Sequence, residues 1–139
     1  MKVQRFNSAA CLGSLSVEIN VWTATSSKSL LSRDDWLAES LDADRFRIVA
    51  ADGVTPWRSD HPAGLDAAVW AAGVTRIAAR DLSCPEDSLH AAHTTLWRHD
   101  IRPSRSRPSA AAAIADISNV NGRLSVSAAA AADCNVWVF

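Results

Sequence analysis

The sequence has 139 residues, of which 48% are hydrophobic, and a formal net charge of −1. This length fits a single globular domain with a real core, and the small charge excludes a general electrostatic attraction to nucleic acid or to an anionic membrane. No apolar run approaches the roughly 20 residues of a transmembrane helix. A polar stretch at residues 4–8 also occupies the place of the apolar region of a signal peptide. We therefore expect a soluble protein.

The three cysteines, Cys11, Cys84 and Cys134, are odd in number and far apart in the sequence. They match neither a disulfide framework nor a paired-thiol metal site. The predicted location is the reducing cytoplasm.

Two strands are predicted in the first 54 residues. Residues 15–22 alternate apolar and polar side chains, which is the period of a half-buried strand. Residues 45–54 are a more deeply buried strand that ends in the pair Asp52-Gly53. The serine-rich and acidic stretch between them places Asp34 and Asp35 just before this second strand. Asp-Gly is a common turn dipeptide, but a carboxylate beside a bare glycine backbone can also bind a cation.

Two adjacent helices are predicted next. Apolar residues recur at three- and four-residue steps over residues 65–82, as in an amphipathic helix. A second helix begins at residue 83, because Ser83 and Glu86 have the spacing of a capping box and Pro85 suits a first turn. The proline- and arginine-containing residues 102–109 are interpreted as a solvated linker.

The alanine-rich segment from residue 109 to residue 132 favours a helix by intrinsic propensity. Alternation at residues 124–128 and the pair Asn121-Gly122 instead favour an antiparallel hairpin, which is our prediction. A further strand is predicted at residues 135–139. The resulting fold class is α+β, with antiparallel β-sheets and a layer of two helices.

Three motifs and their order carry a resemblance to a known family. They are Arg33-Asp34-Asp35, the segment Ala-Asp-Gly-Val at residues 51–54, and, after the helix pair and hairpin, Ala-Asp-Cys-Asn at residues 132–135. In this order they resemble the N-terminal half of the PPM-type (type 2C) metal-dependent Ser/Thr protein phosphatases, in a divergent bacterial form. The resemblance implies a partial PPM phosphatase-type β-sandwich. Residues 1–139 would form a single partial domain that lacks the family's C-terminal half.

The resemblance also implies a metal site. In the family the aspartate of the Asp-Gly pair bridges two Mg²⁺ or Mn²⁺ ions and the glycine carbonyl binds one of them, and Asp52 and Gly53 match those positions. Asp35 matches the partner aspartate, and Asp34 stands where a glutamate usually binds through water. Asp133 matches an accessory third-metal aspartate. We predict that the Asp35 and Asp52 carboxylates converge.

The implied substrate is a phosphoprotein or another phosphomonoester, hydrolysed by a metal-activated water. The family's phosphate-binding arginine has no clear counterpart, and Lys28 and Arg33 are the candidates to replace it. No catalytic side chain is assigned. Because the family's distal metal ligands are missing, we expect weak binding of Mg²⁺ or Mn²⁺ and little activity from this chain alone. We expect neither a nucleic acid nor a membrane partner.

Two other functions compete with hydrolysis. One is an inactive pseudophosphatase fragment with a regulatory or protein-binding role, in which exposed sheet edges favour self-association. The other is a zinc site formed by Cys84 with His90, His93 and His99, since His90 and His93 share a helix face. Their spacing matches no standard zinc pattern, and histidines on a helix surface explain it more simply.

Overall fold

The computed structural model describes residues 2–25, 34–54, 65–102, 107–132 and 134–136. This part of the chain has an α+β fold, as predicted. Its elements are β1 (Lys2–Leu12), β2 (Leu15–Thr25), β3 (Asp34–Ser40), β4 (Arg45–Val54), α1 (Leu65–Arg80), α2 (Pro85–His99), β5 (Ser109–Val120) and β6 (Arg123–Ala131). Neither helix in these ranges is long and apolar enough to cross a membrane.

Strands β3 to β6 form a four-stranded antiparallel sheet in the order β3-β4-β5-β6. The predicted hairpin is confirmed: β5 and β6 are joined at Asn121 and Gly122, whose φ angles of 54° and 78° have the positive sign that a tight hairpin turn requires. Tertiary packing outweighs the helix propensity of alanine here, because small side chains on β5 fit closely beneath the helices. In the segment predicted as a further strand, residues 134–136 are not in a strand and residues 137–139 lie outside the described residues.

The main core lies between the two helices and one face of this sheet. The apolar stripe predicted for α1 is the buried face of that helix, where Trp70, Val74 and Ala78 pack against Val49 and Ile114. Alternate residues of β4 and β5 face this layer, so the opposite face of the sheet turns away from the helices.

Strands β1 and β3 were missed by sequence reasoning. β1 pairs with β2 in a separate two-stranded sheet, and Leu12 at its end packs on Phe46 on the sheet face away from the helices. β3 contains Asp34 and Asp35, so the prediction that they lie just before a strand is wrong, because they lie within one. Its acidic and serine-containing sequence lacks the β-branched residues typical of strands.

Arg47 is fully buried and connects the sheet to both helices. Its guanidinium group binds the Asp116 carboxylate of β5 through two contacts, Nε to Oδ1 at 2.6 Å and Nη2 to Oδ2 at 2.8 Å. The same group donates to the Ala78 carbonyl at the end of α1 and to the Ser88 hydroxyl on α2. It also donates to the Ser83 carbonyl in the connection between the helices. One cation therefore links four elements.

This cluster explains why the predicted capping box is wrong. Helix α2 begins at Pro85 with Cys84 as its N-cap, and the structure shows no side-chain capping hydrogen bond there within the described residues. Ser83 lies one residue before the N-cap. Its carbonyl accepts a hydrogen bond from Arg47, and its N–H donates to Asp81 Oδ1 at 2.8 Å.

The described arginines of the predicted linker are also engaged. Arg102 forms ion pairs with Asp100 at 2.6 Å and Asp66 at 3.1 Å, and Arg107 lies 4.9 Å from the centre of the Trp97 ring. These two residues therefore contact residues of the helices and their ends, and residues 103–106 of the predicted linker lie outside the described residues.

We predict that Arg47→Met lowers the free energy of unfolding by about 3–5 kcal/mol, because it leaves the buried Asp116 carboxylate with Arg45 Nη1, 3.8 Å away, in place of its two short contacts to Arg47. Urea unfolding followed by circular dichroism measures this loss. The double variant Arg47→Met with Asp116→Leu is the control, and it should recover much of the stability. A single variant within about 1 kcal/mol of the wild type would contradict this interpretation.

Candidate functional site

The residues of the predicted metal site that the structure describes lie at adjacent ends of β3 and β4. Asp52 is exposed in β4, between Ala51 and Gly53, which are both buried. The register pairs the Cα atom of Asp34 with that of Asp52, and the Cα atom of Asp35 with that of Ala51. Because side chains alternate along a strand, Asp52 lies on the face away from the helices, and the Ala51 side chain faces them.

The Asp35 side chain lies on the helix face and contacts α1. Its Oδ2 atom is 2.5 Å from the Thr75 hydroxyl, and Thr75 is fully buried. Asp35 is half-buried there, whereas Asp52 is exposed on the opposite face. The structure therefore does not bring the Asp35 and Asp52 carboxylates together.

Gly53 is required by packing. A Cβ atom at this position would lie 2.0 Å from the Ala67 carbonyl oxygen of α1, far inside van der Waals contact. The sequence suggested that this glycine lets its carbonyl approach a metal. Close contact between the β4 backbone and the first turn of α1 gives a sufficient reason for a glycine here.

The remaining predicted residues do not complete a metal site in the described part of the chain. Lys28, Arg33 and Asp133 lie outside the described residues. Among the described residues there is no group of three or more His, Cys, Asp or Glu side chains that could hold a metal ion. With Asp35 turned to the helices, these residues do not fit a two-metal centre.

A second candidate site is a cavity of about 320 Å³ between α2 and the end of β6. Its lining combines apolar and ionisable side chains from α2 with three alanines of β6: Glu86, Asp87, Leu89, His90, His93, Ala129, Ala130 and Ala131. Sequence reasoning placed His90 and His93 on one helix face but did not find the cavity, because it depends on the packing of α2 against β6.

His93 is the perturbed group of this cavity. Burial, and secondly the charge of His90, lower the pKa of His93 from its ordinary value of 6.5. Its Nε2 atom is buried and has no hydrogen-bond partner among the described residues. Of the other residues proposed for a zinc site, Cys84 lies outside the cavity at the N-cap, where its thiol is 3.3 Å from Asp87 Oδ2, and His99 is exposed in the last turn of α2. These described residues do not assemble a zinc site.

Comparison of this chain with protein-family models, with curated proteins and with solved structures finds no match.

We predict that the protein loses stability as the pH falls below about 6.5, since the unfolded state then binds a proton at His93 that the folded state resists. The contribution of neutral His93 to the free energy of unfolding is fully present above pH 6.5. It is lost as the pH falls towards the lower pKa that His93 has in the folded state. The groups near the His93 ring at the cavity are His90, Glu86 and Asp87. Thermal unfolding between pH 7.5 and 5.5 measures the effect.

His93→Gln should flatten this pH dependence, and His99→Gln is the matched control on the same helix. Equal pH profiles for the wild type and His93→Gln would contradict the assignment to His93.

Proposed function

We propose that this chain is a PPM phosphatase-like domain that does not catalyse hydrolysis by itself and acts by binding protein. The motif order that carries the resemblance supports this proposal together with the architecture. An antiparallel sheet covered on one face by two adjacent helices, with Ala-Asp-Gly-Val ending β4, is the arrangement that the resemblance implies.

The opposed directions of Asp35 and Asp52 carry the non-catalytic part of the proposal. Mg²⁺ and Mn²⁺ take oxygen ligands at about 2.0–2.6 Å, so ligands of one centre must converge. Asp35 contacts Thr75 among the helices, whereas Asp52 is exposed on the other face. Metal-assisted phosphoryl transfer needs ions held in fixed geometry around the attacking water. The described residues do not supply such a geometry.

One observation favours the competing function, a phosphomonoester hydrolase. The Cα atom of Asp34 pairs with that of Asp52 across β3 and β4, so Asp34, and not Asp35, is the register partner of Asp52. Under this alternative, Asp52 and Asp34 would take part in holding Mg²⁺ or Mn²⁺. Asp133 would have to join them at the metal, and Lys28 or Arg33 would have to bind the phosphate group of the substrate.

The binding role follows from the edges of the four-stranded sheet. β3 and β6 are its outer strands, and the apolar side chains of Leu124 and Val126 on β6 are 54% and 45% exposed. Unpaired backbone groups on an outer strand form hydrogen bonds readily with another strand. Self-association through such an edge is therefore part of the proposal.

The catalytic question is tested by incubating the full chain with Mn²⁺ and either p-nitrophenyl phosphate or a phosphoserine peptide. We expect no turnover above the rate without protein, and the same result for Asp52→Asn. Mn²⁺-dependent hydrolysis that Asp52→Asn abolishes would overturn the proposal. Asp34→Asn and Asp35→Asn would then separate the two site assignments, because loss of activity in Asp35→Asn but not in Asp34→Asn would be evidence for Asp35 as a ligand.

A further inference from the structure

Strand β6 has a long, nearly uncharged outer edge. It is the last strand of the sheet, and no described residue pairs with its outer side. Seven of its nine residues are exposed, and Arg123, its first residue, is its only charged one. The strand contains no proline and no charge in its middle, which are the usual features that prevent edge pairing.

Pairing of β6 with the β6 of a second copy has a simple geometry. In an antiparallel pair about a two-fold axis perpendicular to the sheet, all nine residues overlap when Ser127 lies opposite Ser127 of the second copy. Arg123 then lies opposite Ala131 of the second copy. This register satisfies the largest number of free backbone groups, because a shift in either direction leaves strand ends unpaired.

The same register directs Arg123 to the helix side of the sheet. Arg123 and Ala131 are eight residues apart, so their side chains lie on one face of the strand. Ala129 and Ala131 pack against the core beneath the helices, which identifies this face as the one that α2 covers. Residues directly opposite in an antiparallel pair share a face. Arg123 of the second copy would therefore approach the cavity beside Ala131.

The charges of the cavity complement Arg123. Two exposed carboxylates, Glu86 and Asp87, line it beside the apolar Leu89 side chain and the end of β6. Ala129 and Ala131 face the helices and Ala130 faces away, so a cavity that touches all three reaches the strand backbone. The inner edge of the β6 backbone is hydrogen-bonded to β5. The cavity therefore reaches β6 at its outer edge. Within the described residues, neither Arg123 nor Glu86 forms an ion pair.

We propose that two copies of the chain pair antiparallel through β6, centred on Ser127, and that each copy places Arg123 against Glu86 and Asp87 in the cavity of the other. The two sheets then form one continuous eight-stranded sheet with two equivalent ion-pair sites. The inference specifies the self-association in the proposed function and rests on it, but it does not depend on metal binding or hydrolysis.

Sedimentation velocity over a concentration series tests the charge pairing. We expect a dimer whose dissociation constant rises about tenfold or more in Arg123→Glu and in Glu86→Arg, because each change introduces like charges at two sites. The double variant Arg123→Glu with Glu86→Arg should restore dimerisation. Arg76→Glu makes the same charge change at an exposed position on α1 and should leave the dissociation constant unchanged. Circular dichroism confirms that each variant is folded.

A disulfide tests the register. In a variant whose three native cysteines are replaced by serine, Ser127→Cys should form an intermolecular disulfide, since paired Cα atoms lie roughly 4.5–5.5 Å apart and a disulfide spans roughly 4.4–6.8 Å. Ser125→Cys is the control, because its copy would lie about 13 Å away along the partner strand.

A chain that stays monomeric at all concentrations would overturn both this inference and the proposed self-association, and the hydrolysis assay would be unaffected. A dimer that is insensitive to Arg123→Glu and does not crosslink through Ser127→Cys would overturn only the β6 register. Binding of a different protein to β6, with no dimer, would also overturn it.

Discussion

The buried ion pair between Arg47 and Asp116 is the interaction on which the arrangement of the other elements depends. It joins the two central strands, β4 and β5, and its remaining donors reach the end of α1, the helix connection and Ser88 on α2. An arginine without exposed surface is tolerated only when its charge and its donors are matched. The cluster therefore fixes which face of the sheet the helices cover, since they can cover only the face that carries Arg47.

Because the helices cover the face that carries Arg47, the alternation of side chains along β4 sets the directions of its other residues. Val49, Ala51 and Gly53 share the side of Arg47, and Gly53 lets the strand approach the Ala67 carbonyl. Asp52 must then point away from the helices. The opposed directions of Asp35 and Asp52 are thus a consequence of the same packing that holds the core. The functional proposal and the fold therefore both depend on the alternation of side-chain directions along β4.

The sequence predicted the elements with strong periodicity. The strands around residues 15–22 and 45–54, the apolar stripe of α1, and the Asn121-Gly122 hairpin were predicted because alternation, helical spacing and turn chemistry are local signals. β3 was missed because three of its seven residues are acidic and none is β-branched, and its place in the sheet depends on pairing with β4. The predicted convergence of the Asp35 and Asp52 carboxylates is not found for a related reason. The register of a strand sets the face on which each carboxylate lies, and neither sequence motif specifies the register. The cavity beneath α2 likewise arises only from packing.

The direction of the Asp35 and Asp52 side chains is tested most directly by adding substoichiometric Mn²⁺ to the ¹⁵N-labelled full chain and recording amide NMR signals. Bound Mn²⁺ broadens the signals of nearby residues. The opposed carboxylates predict weak broadening around exposed acidic residues that Asp35→Asn leaves unchanged, because the Asp35 side chain is directed to the helices. Selective loss of the Asp52 and Gly53 signals at low Mn²⁺ that Asp35→Asn and Asp52→Asn each prevent would contradict the account, because both carboxylates would then bind one metal ion.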